Sequence, residues 1–409
     1  MAYQCLNKGR KIYFKKDSWK ALSDVSKLVF DFDGVLVYTL QSYRQTIRKV
    51  ADYYFLEILG LEGEKGKLTT LGDVQKFKDT GLYNNDWNLS YAIITYYLAI
   101  VMRKLQQRRA LQAFINRFKN IQFSEVRSFI QTLGEVGDFF RRYGINATEL
   151  VDVKNHDAFG LESFLARAKL ENQDSPENAL KSILPRVEIE QLTLTRKLVP
   201  YDLEKPDLLK RLFEESYLGE KLFTKFYGVP SIFKFKESFL EKEEFIPTKK
   251  TLDTLQSRFG KFAIYSEKPR DQGAYLLEKN NFKEYFDENG STFLEDLVES
   301  EKTFRGKGVE SVQLGKPNPT LFIELVEKLV GKVDMVAYVG DGVADVLLVE
   351  NARLEGLSNI LFLGVLSSSQ YPDELLSQYM KHEADAIMTD VNDIPYLYTS
   401  LEEDLNEKS

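Results

Sequence analysis

Apolar and polar residues alternate along this chain in two rhythms. From about Thr248 onward, short unbroken apolar runs (Phe262 to Tyr265, Met335 to Val339, Ile360 to Val365, Ala386 to Met388) are separated by stretches in which apolar residues recur every three or four positions. Unbroken runs predict strands buried on both faces. The longer spacing predicts helices, here Thr248 to Arg258, Pro269 to Lys279, Asn318 to Val330 and Ala344 to Ala352. Strands and helices taking turns predict a parallel sheet with helical crossovers. The run Lys27 to Phe30 belongs with this sheet, because the long stretch after it reads differently.

Between Gln41 and Pro247 the rhythm is almost entirely helical, with periodic stretches at 41–59, 87–119, 124–142, 160–170 and 207–226. A polar break, Glu171-Asn172-Gln173-Asp174-Ser175-Pro176, divides them. The expected fold class is therefore α/β, a Rossmann-like parallel sheet core with an inserted all-helical domain. The core takes residues 1–40 plus 248–409, and the insertion, residues 41–247, reads as a cap or lid. No internal repeat or low-complexity tract interrupts either part.

Composition narrows the chemistry. With 409 residues, 43% hydrophobic and 29% charged, the chain can bury two cores. A formal net charge of -7 argues against nucleic acid or an anionic membrane surface as the main partner. The longest apolar run, Trp87 to Met102, covers 16 residues and contains Asn88 and Ser90, which predicts a buried helix rather than a membrane span. One cysteine, Cys5, rules out an internal disulfide framework and fits a reducing cytoplasm. No continuous apolar stretch of the length a secretory signal needs precedes Asp31, so secretion is not expected. Only two histidines occur, His156 and His382, so a catalytic acid or base is expected to be a carboxylate.

Four short signatures supply those carboxylates: Asp31-Phe32-Asp33-Gly34, then Ser266, then Lys316-Pro317, then Gly340-Asp341 with Asp345. Each lies at a predicted strand end or in the turn after it, and ligands of open parallel sheets bind beyond the carboxyl ends of the strands. Asp31 and Asp33 are two apart and face one side if the chain stays extended, whereas Asp341 and Asp345 are one helical turn apart. Carboxylates at the end of a buried strand are costly without a partner, and an oxygen-only donor set suits magnesium. Lys316 would neutralise charge on a transferring phosphoryl group and Ser266 would donate to one of its oxygens. Neither the Gly-Lys-Pro at 315–317 nor Gly340-Asp341-Gly342 completes a nucleotide-binding loop, so ATP and NAD are not implied.

In order and content the four signatures resemble the haloacid dehalogenase superfamily, over residues 20–40 and 248–400. The resemblance implies that Asp31 attacks phosphorus to form an aspartyl-phosphate. It implies that Asp33 protonates the leaving oxygen and then activates water. It also implies that the Asp33 carbonyl and the Asp31 and Asp341 carboxylates hold Mg2+, with Asp345 in support. Many relatives write two adjacent acids in the last signature, whereas here Ala344 precedes Asp345. Dehalogenases of the family lack the second aspartate, so Asp33 favours phosphoryl transfer. Insertion after the first signature corresponds to the family's C1 cap position.

The segments Asp73 to Lys78 with Asn84 to Trp87, Tyr217 to Gly219 with Phe226 to Gly228, and Ser266 to Arg270 are similar to an archaeal and cyanobacterial branch of the superfamily. Asn84, Asn85 and Asp86 are candidate substrate contacts from the cap. Arg270 is a candidate partner for a second anionic group. The basic stretch from Trp87 to Ser124 is expected to pair with acids such as Glu241, Glu243 and Glu244. The expected activity is a phosphoric monoester hydrolase acting on a small phosphorylated metabolite. A phosphomutase of the β-phosphoglucomutase kind and a non-catalytic binding or regulatory module are the alternatives.

Overall fold

The computed structural model describes residues 3–7, 10–39, 41–78, 80, 82–83, 85–156, 159–170, 189–200, 207–306, 314–329 and 334–408. The chain divides into two compact units, Met1–Leu40 with Glu243–Ser409, and Gln41–Lys242.

Among the described residues the first unit has nine strands: β1 (Tyr3–Asn7), β2 (Lys11–Lys15), β3 (Val25–Phe30), β4 (Val37–Tyr38), β5 (Glu244–Phe245), β6 (Ala263–Ile264), β7 (Met335–Gly340), β8 (Ile360–Val365) and β9 (Ala386–Met388). Seven of them form one sheet in the order β1-β2-β9-β8-β7-β3-β6. From β6 to β9 the pairings are all parallel. β1 and β2 add an antiparallel edge to this mainly parallel sheet. These edge strands mix polar or charged residues with apolar ones, so no long unbroken run announces them.

All six residues of β8 are buried, as expected for a central strand covered on both faces by crossover helices. One layer of the core runs from Val29 and Tyr265 through Phe322, Tyr338 and Val346 to Phe362 and Tyr379. Truncating such a side chain, for example Phe362→Ala, costs about 3–5 kcal/mol. The sequence order of the strands reverses direction at β3, whose neighbours are β7 and β6. Chain crossovers diverge from that point and open a crevice beyond the strand ends.

β4 and β5 form a separate two-stranded antiparallel ribbon, Val37 opposite Phe245 and Tyr38 opposite Glu244. The ribbon joins the segment that leaves the first unit to the segment that returns to it.

The second unit is helical. Its helices include Ser42–Asp52, Leu71–Lys78, Asp86–Gln107, Leu111–Phe118, Val126–Arg142, Ala147–His156, Leu161–Leu170, Ile189–Leu198 and Leu208–Tyr227. Ser42–Asp52 runs on into a π-helical segment, Tyr53–Ile58. Gly137 makes the end of that segment possible, since a Cβ there would lie 1.7 Å from the Leu59 carbonyl oxygen. Arg141 then donates to the Leu59 and Gly60 carbonyls at 2.6 and 2.7 Å, satisfying acceptors the widened turn leaves over.

Helix Asp86–Gln107 is buried over most of its length, as its apolar run predicts. Among the described residues no helix is long and apolar enough to cross a membrane. The partners expected for the basic stretch are corrected: Lys104 and Arg108 pair with Glu149, at 3.6 and 2.5 Å. The polar break at 171–176 lies outside the described residues.

Candidate active site

Asp31 directly follows β3, and its backbone N–H still donates to Val339 of β7 at 2.9 Å. The sheet ladder therefore fixes the root of this carboxylate. The Phe32 N–H donates to Asp31 Oδ1 at 2.7 Å, and the Lys316 ammonium lies 2.8 Å from Oδ2. Asp31 is 7% exposed. Burial pushes its carboxyl up to about 7, against the pull of Lys316 and with the help of Asp345 and Asp33.

Asp341 follows β7, the strand next to β3. Its carboxylate packs against Gly34, where a Cβ would come within 1.8 Å of Asp341 Oδ2. Gly34 also has φ +78°, a left-handed turn that suits glycine. Ser368 Oγ donates to the Gly34 carbonyl and pins the turn from the other side. Loss of solvation raises the Asp341 carboxyl well above its ordinary value, as do Asp345 and Asp31.

Asp345, in the first turn of helix Val343–Leu354, works as an organiser. Its Oδ1 accepts from Lys316 Nζ at 2.8 Å and from the Tyr338 hydroxyl at 2.9 Å. Its Oδ2 accepts from the backbone N–H groups of Asp341 and Gly342 at 3.2 and 2.9 Å. Lys316 thus bridges Asp31 and Asp345. Burial would lower its ammonium, but the two carboxylates outweigh that and hold it above the ordinary lysine range.

One ligand oxygen from each of Asp31, Asp341 and Asp345 falls within a mutual 4.8 Å. Three carboxylates and one ammonium leave two negative charges in a poorly solvated space, which a hard divalent cation would balance. The donor set fits magnesium. Asp31 and Asp341 are the better direct ligands, because each Asp345 oxygen already accepts from two donors, whereas each Asp31 oxygen accepts from one.

Ser266 lies two residues after β6, the other neighbour of β3, and is buried. Its backbone N–H donates to Thr292 at 3.0 Å, and its Oγ accepts from the Lys268 N–H at 3.2 Å. The hydroxyl is thereby turned into a donor. Asp33 is held at Oδ1 by Lys268 Nζ at 2.8 Å, and the same ammonium lies 3.1 Å from Glu243 Oε2. Glu243 is therefore a partner of Lys268.

Among the remaining candidates, Arg270 directs its guanidinium to Asp296 at 2.5 Å and to the Glu288 and Ser291 carbonyls, beside the Phe293 ring. Asn85 caps helix Asp86–Gln107, its Oδ1 accepting from the N–H groups of Trp87 and Asn88. Asp86 pairs with Lys78 at 2.7 Å. Asn84 lies outside the described residues. Sequence reasoning passed over Lys268, Glu243, Tyr338 and Ser368. For Lys268 a signal existed, its position two residues past Ser266 in the same turn.

A family model of haloacid dehalogenase-like hydrolases matches residues 28–353. No curated protein matches the sequence. Among solved structures, a structural-genomics target superposes with a TM-score of 0.63 at 18% identity, over 93% of this chain and 100% of that one. A phosphatase from Thermococcus thioreducens superposes with a TM-score of 0.45 at 18% identity, over 92% and 99%. A candidate β-phosphoglucomutase from Thermotoga maritima gives 0.34 at 17% identity, over 93% and 99%.

Proposed function

Because the chain belongs to the haloacid dehalogenase-like hydrolase family, we propose that it is a magnesium-dependent phosphatase that hydrolyses a small organic phosphate monoester through an aspartyl-phosphate. The single observation that carries this reading is the Lys316 bridge between Asp31 and Asp345 beside Asp341. It sets one carboxylate, with its charge partly offset, among the groups that would receive a phosphoryl dianion.

In the proposed first step an Asp31 oxygen bonds to phosphorus as the ester P–O bond breaks, and its electron pair leaves on the alcohol oxygen. Asp33 gives that oxygen a proton. In the second step water attacks the same phosphorus, Asp33 takes the proton back, and the bond to Asp31 breaks to release phosphate. Ser266 and Lys316 bind the phosphoryl oxygens in both steps. Asp31, Asp341 and the Asp33 carbonyl would hold Mg2+, with Asp345 in support, and the ion would supply positive charge to offset that of the phosphoryl oxygens. The unit Gln41–Lys242 is the proposed cap, and selection of the organic half of the ester is its proposed task. The absence of an apolar spanning helix among the described residues is compatible with a cytoplasmic setting.

The test is incubation of the purified protein with Mg2+ and a panel of phosphorylated metabolites, read as released phosphate. Acid quenching and mass spectrometry then look for a phosphoryl adduct on Asp31. Release of phosphate with the adduct on Asp31 supports the reading. Isomerisation without net release, or an adduct elsewhere, overturns it.

A further inference from the structure

We infer that Lys268, gripped by Glu243, is the positioning residue that sets the Asp33 carboxylate for both of its proton transfers. The role of Asp33 rests on the phosphatase reading above, but the geometry does not. Lys268 Nζ lies 2.8 Å from Asp33 Oδ1 and 3.1 Å from Glu243 Oε2. The Lys268 and Glu243 side chains are both 0% exposed, whereas that of Asp33 is 28% exposed. Two members of the triad are sealed in and the third reaches solvent.

Stability alone does not explain such a group. Fully desolvating a lysine and a glutamate costs about as much as their attraction returns, and an apolar pair of similar volume would fold as well. A charge pair does provide a fixed direction. Here both ends of that direction are anchored. The Lys268 N–H donates to Ser266 Oγ at 3.2 Å, its carbonyl accepts from the Leu294 N–H at 3.2 Å, and its ammonium lies 5.6 Å from the centre of the Phe32 ring. Glu243 directly precedes β5, which is paired to β4, the strand that follows the Asp31 to Gly34 turn.

The chemical consequence concerns which oxygen of Asp33 works. With Oδ1 accepting from the ammonium, the inferred role assigns the transferred proton to Oδ2, from which it passes to the leaving oxygen as the ester bond breaks and to which a proton returns from water in the second step. Asp33 must occupy one place twice, once protonated and once ionised, and a buried ammonium on Oδ1 holds it in both states. The same Lys268 backbone orients Ser266, so phosphoryl binding and proton transfer share one anchor.

Leaving-group dependence separates this role from general support. An alkyl phosphate needs a proton on its departing oxygen, and 4-nitrophenyl phosphate does not. In Lys268→Met, enzyme phosphorylation by an alkyl phosphate should slow about 100-fold, and by 4-nitrophenyl phosphate less than about threefold. Glu243→Gln should show the same pattern more weakly, and Lys268→Arg should recover part of the alkyl rate. If Lys268→Met fails to fold, the double variant Lys268→Met/Glu243→Gln, which removes both buried charges, carries the same measurement. Equal slowing on both esters, or no slowing on either, overturns the inference. A crystal structure of the Met variant supplies a readout independent of turnover: displacement of the Asp33 carboxylate supports positioning, and an unmoved carboxylate overturns it. Should the wild type release phosphate from neither ester, the phosphatase reading falls while the crystal structure still decides the role of Lys268.

Discussion

Gly34 and Asp341 are in such close contact that the glycine's missing side chain is the space the carboxylate occupies. A methyl group at Gly34 would sit 1.8 Å from Asp341 Oδ2 on a backbone already at φ +78°. Gly34→Ala should therefore displace Asp341 and weaken Mg2+ binding by at least about tenfold, with roughly 1 kcal/mol lost from the fold. Calorimetric titration with Mg2+ and chemical denaturation of the two proteins check this.

Asp31→Asn keeps the shape of the nucleophile and removes its charge. Turnover should fall by roughly 10³ or more with the fold preserved. Wild-type rates in this variant, measured by phosphate release, would place the chemistry elsewhere.

Chelation should silence the enzyme. Carboxylate oxygens are hard ligands, and the proposed site at Asp31 and Asp341 would suit a small divalent ion that needs few protein contacts. Activity lost in EDTA should return with Mg2+ and return poorly with Ca2+, whose larger coordination sphere suits in-line transfer less well. Activity indifferent to chelator would contradict the acidic site.

The metal-free protein should lose stability as pH rises. The Asp31 carboxyl is raised to about 7 in the folded chain, above its unfolded value, so the folded state holds a proton that the unfolded state has released. Its stabilising contribution is complete below about pH 4, declines through the interval, and is gone above about pH 7. Asp341 is raised too and acts with the same sign. Melting curves in EDTA should fall across this window, and added Mg2+ should flatten the fall.

Within the helical unit, the loss of Glu215 should be strongly felt. Fully buried, it accepts from the N–H groups of Ile232 and Phe233, the Ser231 hydroxyl and Arg211 Nε. Glu215→Ala leaves these donors without their acceptor and should cost about 3 kcal/mol. Denaturant unfolding and proteolysis within 229–236 report the effect.

The α/β class and the acidic signatures were legible because buried parallel strands are written as unbroken apolar runs, and Asp31 and Asp341 directly follow two of them. Less was legible where polarity is mixed. Tyr3–Asn7 and Lys11–Lys15 carry lysine and asparagine among their apolar residues and join the sheet only through long-range pairing. Glu243 stands in the run Glu241-Lys242-Glu243-Glu244, which reads as solvated surface. Its burial depends on Lys268, 25 positions away, and no local pattern encodes that contact. The tight turn at Gly34 was visible as a glycine, but the carboxylate that requires it comes from the far end of the chain.

The ribbon of Val37–Tyr38 against Glu244–Phe245 makes the α/β unit indifferent to how much chain lies beyond it. Departing and returning segments are zipped side by side, and the Ile246 N–H donates to the Leu36 carbonyl at 2.9 Å just inside the zip. Lengthening a loop whose ends are already clamped adds little entropic cost. The ribbon is a socket: another excursion spliced between residues 40 and 243 should leave the fold of the α/β unit and its acidic cluster undisturbed.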